Sequence, residues 1–182
     1  ICREETAPEG LELRPYVGEK TVMLGAGLCG GSAFRLLNGF FRQTCAAAGM
    51  EISEGAMFGC MTAWAQEARK RQDPLRVSPL FRGTRREPAL RGSVENINMD
   101  NFTPGALSLA FFHGVLEEML SAYRKMPPAG TPGRLMLSGN ALRKNPLLAE
   151  LAAETFGCKA SFTPYPEEAA MGAAMLAAFA EA

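Results

Sequence analysis

The chain of 182 residues is long enough to bury one core of its own. Lys+Arg and Asp+Glu balance at 19 each, which leaves neither a basic stripe for nucleic acid nor an acidic tail. Balanced charge does not exclude an anionic ligand, because backbone N–H groups bind phosphate without Lys or Arg.

Residues 1–10 are polar, contain Pro8 and Gly10, and read as a linker or cut end. Residues 11–15 suit a short strand, and 21–24 form an apolar run before the Gly-rich stretch 25–31. A helix is expected from Ser32 as N-cap to about Ala48, with Gly49 as its stop. Ser53 caps a second helix through about Lys70, ended by Asp73-Pro74. Residues 75–80 are strand-like, 82–91 form a charged loop, and 92–99 suit another strand. Thr103-Pro104 places an N-cap and a first-turn proline before a helix that runs to about Lys125. Its Leu109, Phe112, Leu116, Met119 and Tyr123 recur at three- and four-residue steps, the mark of one apolar face. Residues 134–137 are a candidate buried strand. Asn145 and Pro146 then open a helix that Gly157 closes, 159–163 form the next strand, and a last helix follows Pro166 over 167–180. Strands alternating with capped helices predict an α/β layered domain, with 134–137 and 159–163 as neighbours in a mixed sheet flanked by helices.

The chemistry-bearing stretches are few. Leu137-Ser138-Gly139-Asn140-Ala141 joins a strand to a helix, where a small residue and a glycine let a flat ligand approach the backbone. A plain tight turn would look the same. Gly25, Gly27 and Gly30 match G-x-G-x-x-G, but a dinucleotide site also needs an acidic residue about 20 positions on, closing a βαβ unit. Glu51 has the distance without a strand before it, so close packing remains an alternative. The five cysteines, Cys2, Cys29, Cys45, Cys60 and Cys158, include no C-x-x-C pair, and with one histidine the usual zinc spacings are missing. Wide, odd-numbered spacing suits reduced thiols and a cytoplasmic location. The longest apolar run, 169–180, is too short and too rich in Ala and Gly for a bilayer span. No signal-peptide pattern opens the chain, which starts on Ile1 and reads as a piece of something longer. His113 sits in an apolar helix and suits a core or interface side chain, with no G-x-S-x-G nucleophile to pair with. Arg82, Arg85, Arg86 and Arg91 could face phosphates or simply form an exposed loop.

The order of these stretches is more telling than any one of them. Residues 25–31 come first, then Pro79-Leu80-Phe81-Arg82-Gly83-Thr84-Arg85-Arg86-Glu87-Pro88. Gly139-Asn140-Ala141-Leu142 and Glu168-Ala169-Ala170-Met171-Gly172-Ala173-Ala174 follow. This order resembles the C-terminal domain of the FGGY family of carbohydrate kinases. There a P-x-x-x-G-E-R-x-x-P loop precedes a long helix, a Gly-Gly loop follows, and an E-x-x-A-x-G-A-A helix ends the domain. Within the family the resemblance leans to the sedoheptulokinases, through the runs 28–31 and 138–145, and it extends over about 13–180.

The resemblance implies an RNase H-like, actin-type lobe over 13–182, after a linker at 1–12. It implies ATP, with Mg²⁺, in a cleft between two such lobes. Gly139 would lie against the adenosine, with Ser138, Asn140, Ala141 and Arg143 lining that side. Gly30 and Gly31 would approach from the other side, and Gly172 and Ala173 would support the site by packing. Phosphoryl transfer to a ketose hydroxyl would need a general-base Asp, which the family carries upstream of any residue present here, and the sugar would be held mainly by the lobe that carries it. The chain alone is therefore expected to be inactive, and to self-associate through apolar surface in 28–41 or on the helix around His113. No nucleic acid or membrane partner is expected. Thr84 stands where the family has Glu, and Ser138 where it has the first Gly of its pair. The alternatives are a non-catalytic actin-like nucleotide-binding or scaffold protein and a Rossmann-like oxidoreductase fragment.

Overall fold

Short strands and well-capped helices alternate along the chain, and they divide into two compact units, Ile1–Gly130 and Thr131–Ala182. The computed structural model describes residues 6–16, 20–25, 30–70, 72–84, 87–127 and 132–180.

In the first unit, β1 (Glu12–Tyr16) pairs antiparallel with β2 (Lys20–Leu24), Leu13 opposite Met23. Helix α1 (Gly30–Ala47) follows, then α2 (Glu54–Ala68), strands β3 (Arg76–Ser78) and β4 (Ser93–Glu95), and the long α3 (Pro104–Arg124). Helices α1, α2 and α3 pack on one another, and α3 also packs on β3. On α1 the buried residues Phe34, Leu37 and Phe41 recur at helical steps, as do Met57, Met61, Ala65 and Ala68 on α2. Phe34 meets Phe112 edge-on at 5.4 Å and Phe41 meets Trp64 edge-on at 5.5 Å. Each such side chain, fully buried, contributes about 1.5–3 kcal/mol of transfer free energy.

The local start signals work where their chemistry is local. Ser53 Oγ accepts from Ala56 N–H at 3.2 Å and Thr103 Oγ1 from Ala106 N–H at 3.2 Å, each at its helix N-cap. Gly49, with φ +79, follows the end of α1 as expected. Ser32, however, is not a cap. Helix α1 begins two residues earlier, at the buried Gly30, where a Cβ would come within 3.3 Å of Val115 Cγ1 on α3. The start of α1 is thus packed against α3.

Helix α3 is not apolar on one face only. Ala106–Phe112 are buried without a break, because the helix lies between the other two helices and β3. At Gly114 an added Cβ would stand 2.2 Å from the carbonyl oxygen of Val77, so only glycine lets α3 close on the β3 backbone. His113 is half-buried on this helix, and the helix centre is core rather than exposed apolar surface. The strand expected over 92–99 is shorter: β4 stops at Glu95 because Asn96 turns the chain with φ +62.

The second unit is a β-α-β arrangement. Strand β5 (Leu135–Leu137) pairs parallel with β6 (Ala160–Phe162), Leu137 opposite Phe162, so the two segments are neighbours as expected. Between them come the single turn α4 (Asn140–Arg143) and α5 (Pro146–Phe156), which packs on both strands. Asn145 Oδ1 accepts from Leu148 N–H at 3.1 Å, Pro146 follows it, and Gly157 closes α5 with φ +63. Leu147, Leu148, Leu151 and Ala152 form its buried face. Helix α6 (Glu168–Ala180) ends the described chain.

The α/β class holds throughout. Among the described residues the strands lie in three two-stranded sheets, two antiparallel and one parallel, rather than in one mixed sheet. No helix among the described residues is long and apolar enough to cross a membrane.

Candidate functional site

Parallel strands leave their connecting loops at their carboxyl ends, where α/β folds bind ligands. In the second unit those ends are Leu137 and Phe162, and the loops are the turn into α4 and the segment 163–167. Leu137 is buried, whereas Ser138, Gly139 and Asn140 are exposed. Gly139 is the N-cap of α4 with φ 90 and ψ 151, and no side chain caps the turn. That pair of angles is essentially open to glycine alone. A Cβ built on Gly139 would meet nothing within 4 Å, so the space above its backbone is open. Ala141 continues α4, which closes with Arg143 N–H donating to Gly139 C=O at 3.2 Å.

Arg143 reaches away from the turn. Its Nη2 donates to Thr163 C=O at 3.0 Å, Thr163 Oγ1 at 2.9 Å, Tyr165 C=O at 2.6 Å and Glu168 Oε1 at 2.5 Å. The guanidinium carbon lies 5.2 Å from the centroid of the Phe162 ring. Thr163 Oγ1 also bonds Glu168 Oε1, at 3.0 Å. The Arg143 hydrogen bond, above all, lowers the Glu168 pKa below its ordinary value, with help from backbone, Thr163 and the Arg143 charge. Arg143 Nε is buried and has no acceptor among the described residues.

The other expected glycines fall elsewhere. Gly30 and Gly31 open α1 in the first unit; Gly30 packs against Val115 and Met119, and Gly31 is exposed with nothing within 4 Å of a Cβ. Residues 26–29 of that loop, Arg85, Arg86, Cys2 and Cys29 lie outside the described residues. Gly172 would accept a Cβ with nothing within 4 Å and Ala173 is exposed, so the packing role expected of them is not visible among the described residues.

In the 79–91 loop, Thr84 Oγ1 accepts from Glu87 N–H at 3.0 Å and Arg91 Nη1 donates to the carbonyls of Pro88 and Leu90. Arg82 is exposed. Thr84 and Arg91 thus hold their own loop together. Both aspartates also sit in loops. Asp73 Oδ1 accepts from Asn96 Nδ2 at 2.8 Å, its other oxygen accepts from Asn98 Nδ2, and Asp100 is exposed.

Two features escaped the sequence reading. One is the Arg143–Thr163–Glu168 cluster, whose members stand up to 25 residues apart. The other is a cavity of about 760 Å³ in the first unit, bordered by Arg76, Leu80, Thr84, Glu87, Glu117 and Lys125 among others. No local pattern marks either one.

Comparison with known proteins joins these observations. None of the curated proteins matches. Among solved structures, the chain is similar to xylulose kinase from Rhodospirillum rubrum, at 19% identity and TM-score 0.64, over 88% of this chain and 32% of that one. It is similar to ligand-bound xylulose kinase from Lactobacillus acidophilus, at 18% identity and TM-score 0.65, over 90% and 32%. Xylulose kinase from Bifidobacterium adolescentis follows at 20% and TM-score 0.53, over 80% and 26%. At these identities the likeness is one of fold, and the chain spans about a third of the length of the first of them. The C-terminal domain of one family covers residues 13–181, nearly all of the strands and helices described above, and the chain accordingly belongs to the FGGY family of carbohydrate kinases.

Proposed function

We propose that this chain is the nucleotide-binding lobe of an ATP-dependent carbohydrate kinase that phosphorylates a ketose of the sedoheptulose type. Residues 13–182 form that lobe and 1–12 lead into it. The observation that carries the reading is Gly139. Within a domain of kinase family, at the carboxyl end of a parallel strand, it holds a backbone conformation that a side chain would strain, and it keeps the space above it clear. A flat adenosine can lie on such a surface, with Ser138, Asn140 and Ala141 beside it and Arg143 behind. For Gly30 and Gly31 a nucleotide role rests on membership of the family alone.

The lobe's share of the chemistry is to position ATP for attack by a sugar hydroxyl. ATP is expected with Mg²⁺. Among the described residues no three His, Cys, Asp or Glu side chains gather to hold a metal ion, so no residue here is assigned to it and no step is drawn through it. The expected location is the cytoplasm. Leu36 and Phe40, exposed one turn apart on α1, support self-association of the isolated lobe.

The test has two arms. Amide resonances of Gly139 and Asn140 should shift when ATP is added to the chain, and not when reduced nicotinamide mononucleotide, which lacks adenosine, is added. ADP release by the complete kinase should then give the highest kcat/KM with sedoheptulose. A preference for xylulose would replace the sugar assignment, and ATP binding without transfer to any sugar would favour an actin-like scaffold.

A further inference from the structure

Helix α4 is a single turn, too short to hold its own conformation in water, and no side chain caps it. Something outside the turn must therefore set where Ser138, Gly139 and Asn140 stand. Leu137 anchors one end as a buried residue of β5. The other end is Arg143, whose guanidinium ties α4 to the segment after β6.

We propose that Arg143 serves the nucleotide site as a positioning residue, clamping the Ser138–Asn140 turn to the segment 163–168 through Thr163 and Glu168. The clamp has the geometry to do this. The two hydrogens of Nη2 have four acceptors within reach, two backbone carbonyls, one hydroxyl and one carboxylate, carried by the loop that follows the neighbouring parallel strand and by the first residue of α6. The Phe162 ring covers the guanidinium, and Thr163 holds the carboxylate as well as the cation. The carbonyl acceptors fix direction, and the carboxylate adds charge. With Nη2 so occupied, Arg143 acts on the nucleotide through the backbone it holds. A lysine ammonium ends nearer the backbone and lacks the planar face that lies against the Phe162 ring, so it reproduces the clamp only in part.

This inference rests on the nucleotide reading of Gly139, and the experiment separates the two. In the complete kinase, KM for ATP, KM for sugar and kcat are measured for Arg143→Met, Arg143→Lys, Glu168→Gln and Gly139→Val, with thermal midpoints recorded for each. Arg143→Met should raise KM for ATP by about tenfold, since small misplacements of a binding group cost on that order, and leave KM for sugar within about twofold. Glu168→Gln should move the same constant in the same direction by less, and Arg143→Lys should restore part of the loss. A folded Arg143→Met enzyme with unchanged KM for ATP overturns the clamp, provided Gly139→Val raises that constant. If Gly139→Val also leaves it unchanged, the nucleotide reading itself is overturned. A variant whose two KM values rise together, or whose loss lies in thermal midpoint alone, reduces Arg143 to a purely structural residue and overturns the proposal too.

Discussion

Replacing Gly139 by alanine isolates backbone strain from crowding, because a Cβ there meets nothing within 4 Å. At φ 90 and ψ 151 a side chain costs about 1–3 kcal/mol, and the lower chain entropy of alanine in the unfolded state offsets about 0.4–1 kcal/mol of that. The net loss should be about 1–2 kcal/mol, confined to the second unit, which corresponds to a factor of about 5–30 in its opening equilibrium. The single tryptophan, Trp64, lies in the first unit and reports on that unit. Amide exchange along α5 is the suitable assay, because Leu148 and Leu151 are buried there and report opening of the second unit. Gly139→Val should leave α5 less protected than alanine does, because a β-branched side chain fits positive φ worse, and should also weaken ATP binding beyond the alanine variant, since its branches occupy the space proposed for adenosine. Wild-type exchange in Gly139→Ala would refute the strain argument. Equal ATP affinity for the alanine and valine variants would refute the placement of the nucleotide over this residue.

Gly114→Ala should destabilise the first unit by about 3 kcal/mol or more, because the obstructing atom 2.2 Å away is the Val77 carbonyl and not a movable side chain. The same change at Gly39 in α1, where an added Cβ meets nothing within 4 Å, should stabilise by about 0.5–1 kcal/mol; urea midpoints followed by Trp64 fluorescence compare the two. For Glu168 the folded pKa lies below the ordinary value of 4.5, so its contribution is present above that value and is lost as pH falls through the lower folded one. Protection factors of α5 amides, corrected for the intrinsic pH dependence of exchange, should therefore fall with acid in the wild type below pH 4.5, and this component should vanish in Glu168→Gln. The chain alone should release no ADP with any ketose, and Asp73→Asn in the complete kinase should leave kcat within about twofold, because the Asp73 carboxylate is already held by Asn96 and Asn98.

Much of the second unit was readable from residue order, because its signals are local. Asn145 and Pro146 start α5 and Gly157 ends it by hydrogen bonds and dihedral angles that span only a few residues. Ser53 and Thr103 work the same way in the first unit. The strand at 135–137 and the turn after it could be placed from sequence for that reason, as could the family order of the motifs, whereas the single-turn α4 over 140–143 was not expected. Where neighbours distant in sequence decide, local reading failed. Ser32 has the chemistry of a cap, yet α1 starts at Gly30, packed against Val115 some 85 positions away. The periodicity of α3 suggested one face, but a helix enclosed by two helices and a strand buries residues all round. Nothing near Gly114 in sequence marks it, because the Val77 carbonyl that excludes a side chain there comes from β3. The family resemblance implied Arg143 beside the nucleotide, but the direction of its guanidinium depends on Thr163, Tyr165 and Glu168. Sequence alone determined which segments become helices, strands and turns, because capping and dihedral preference act within a few residues; only the tertiary structure decided which backbones touch and where a long charged side chain finds its acceptors, because those contacts form between segments that order in the chain does not bring together.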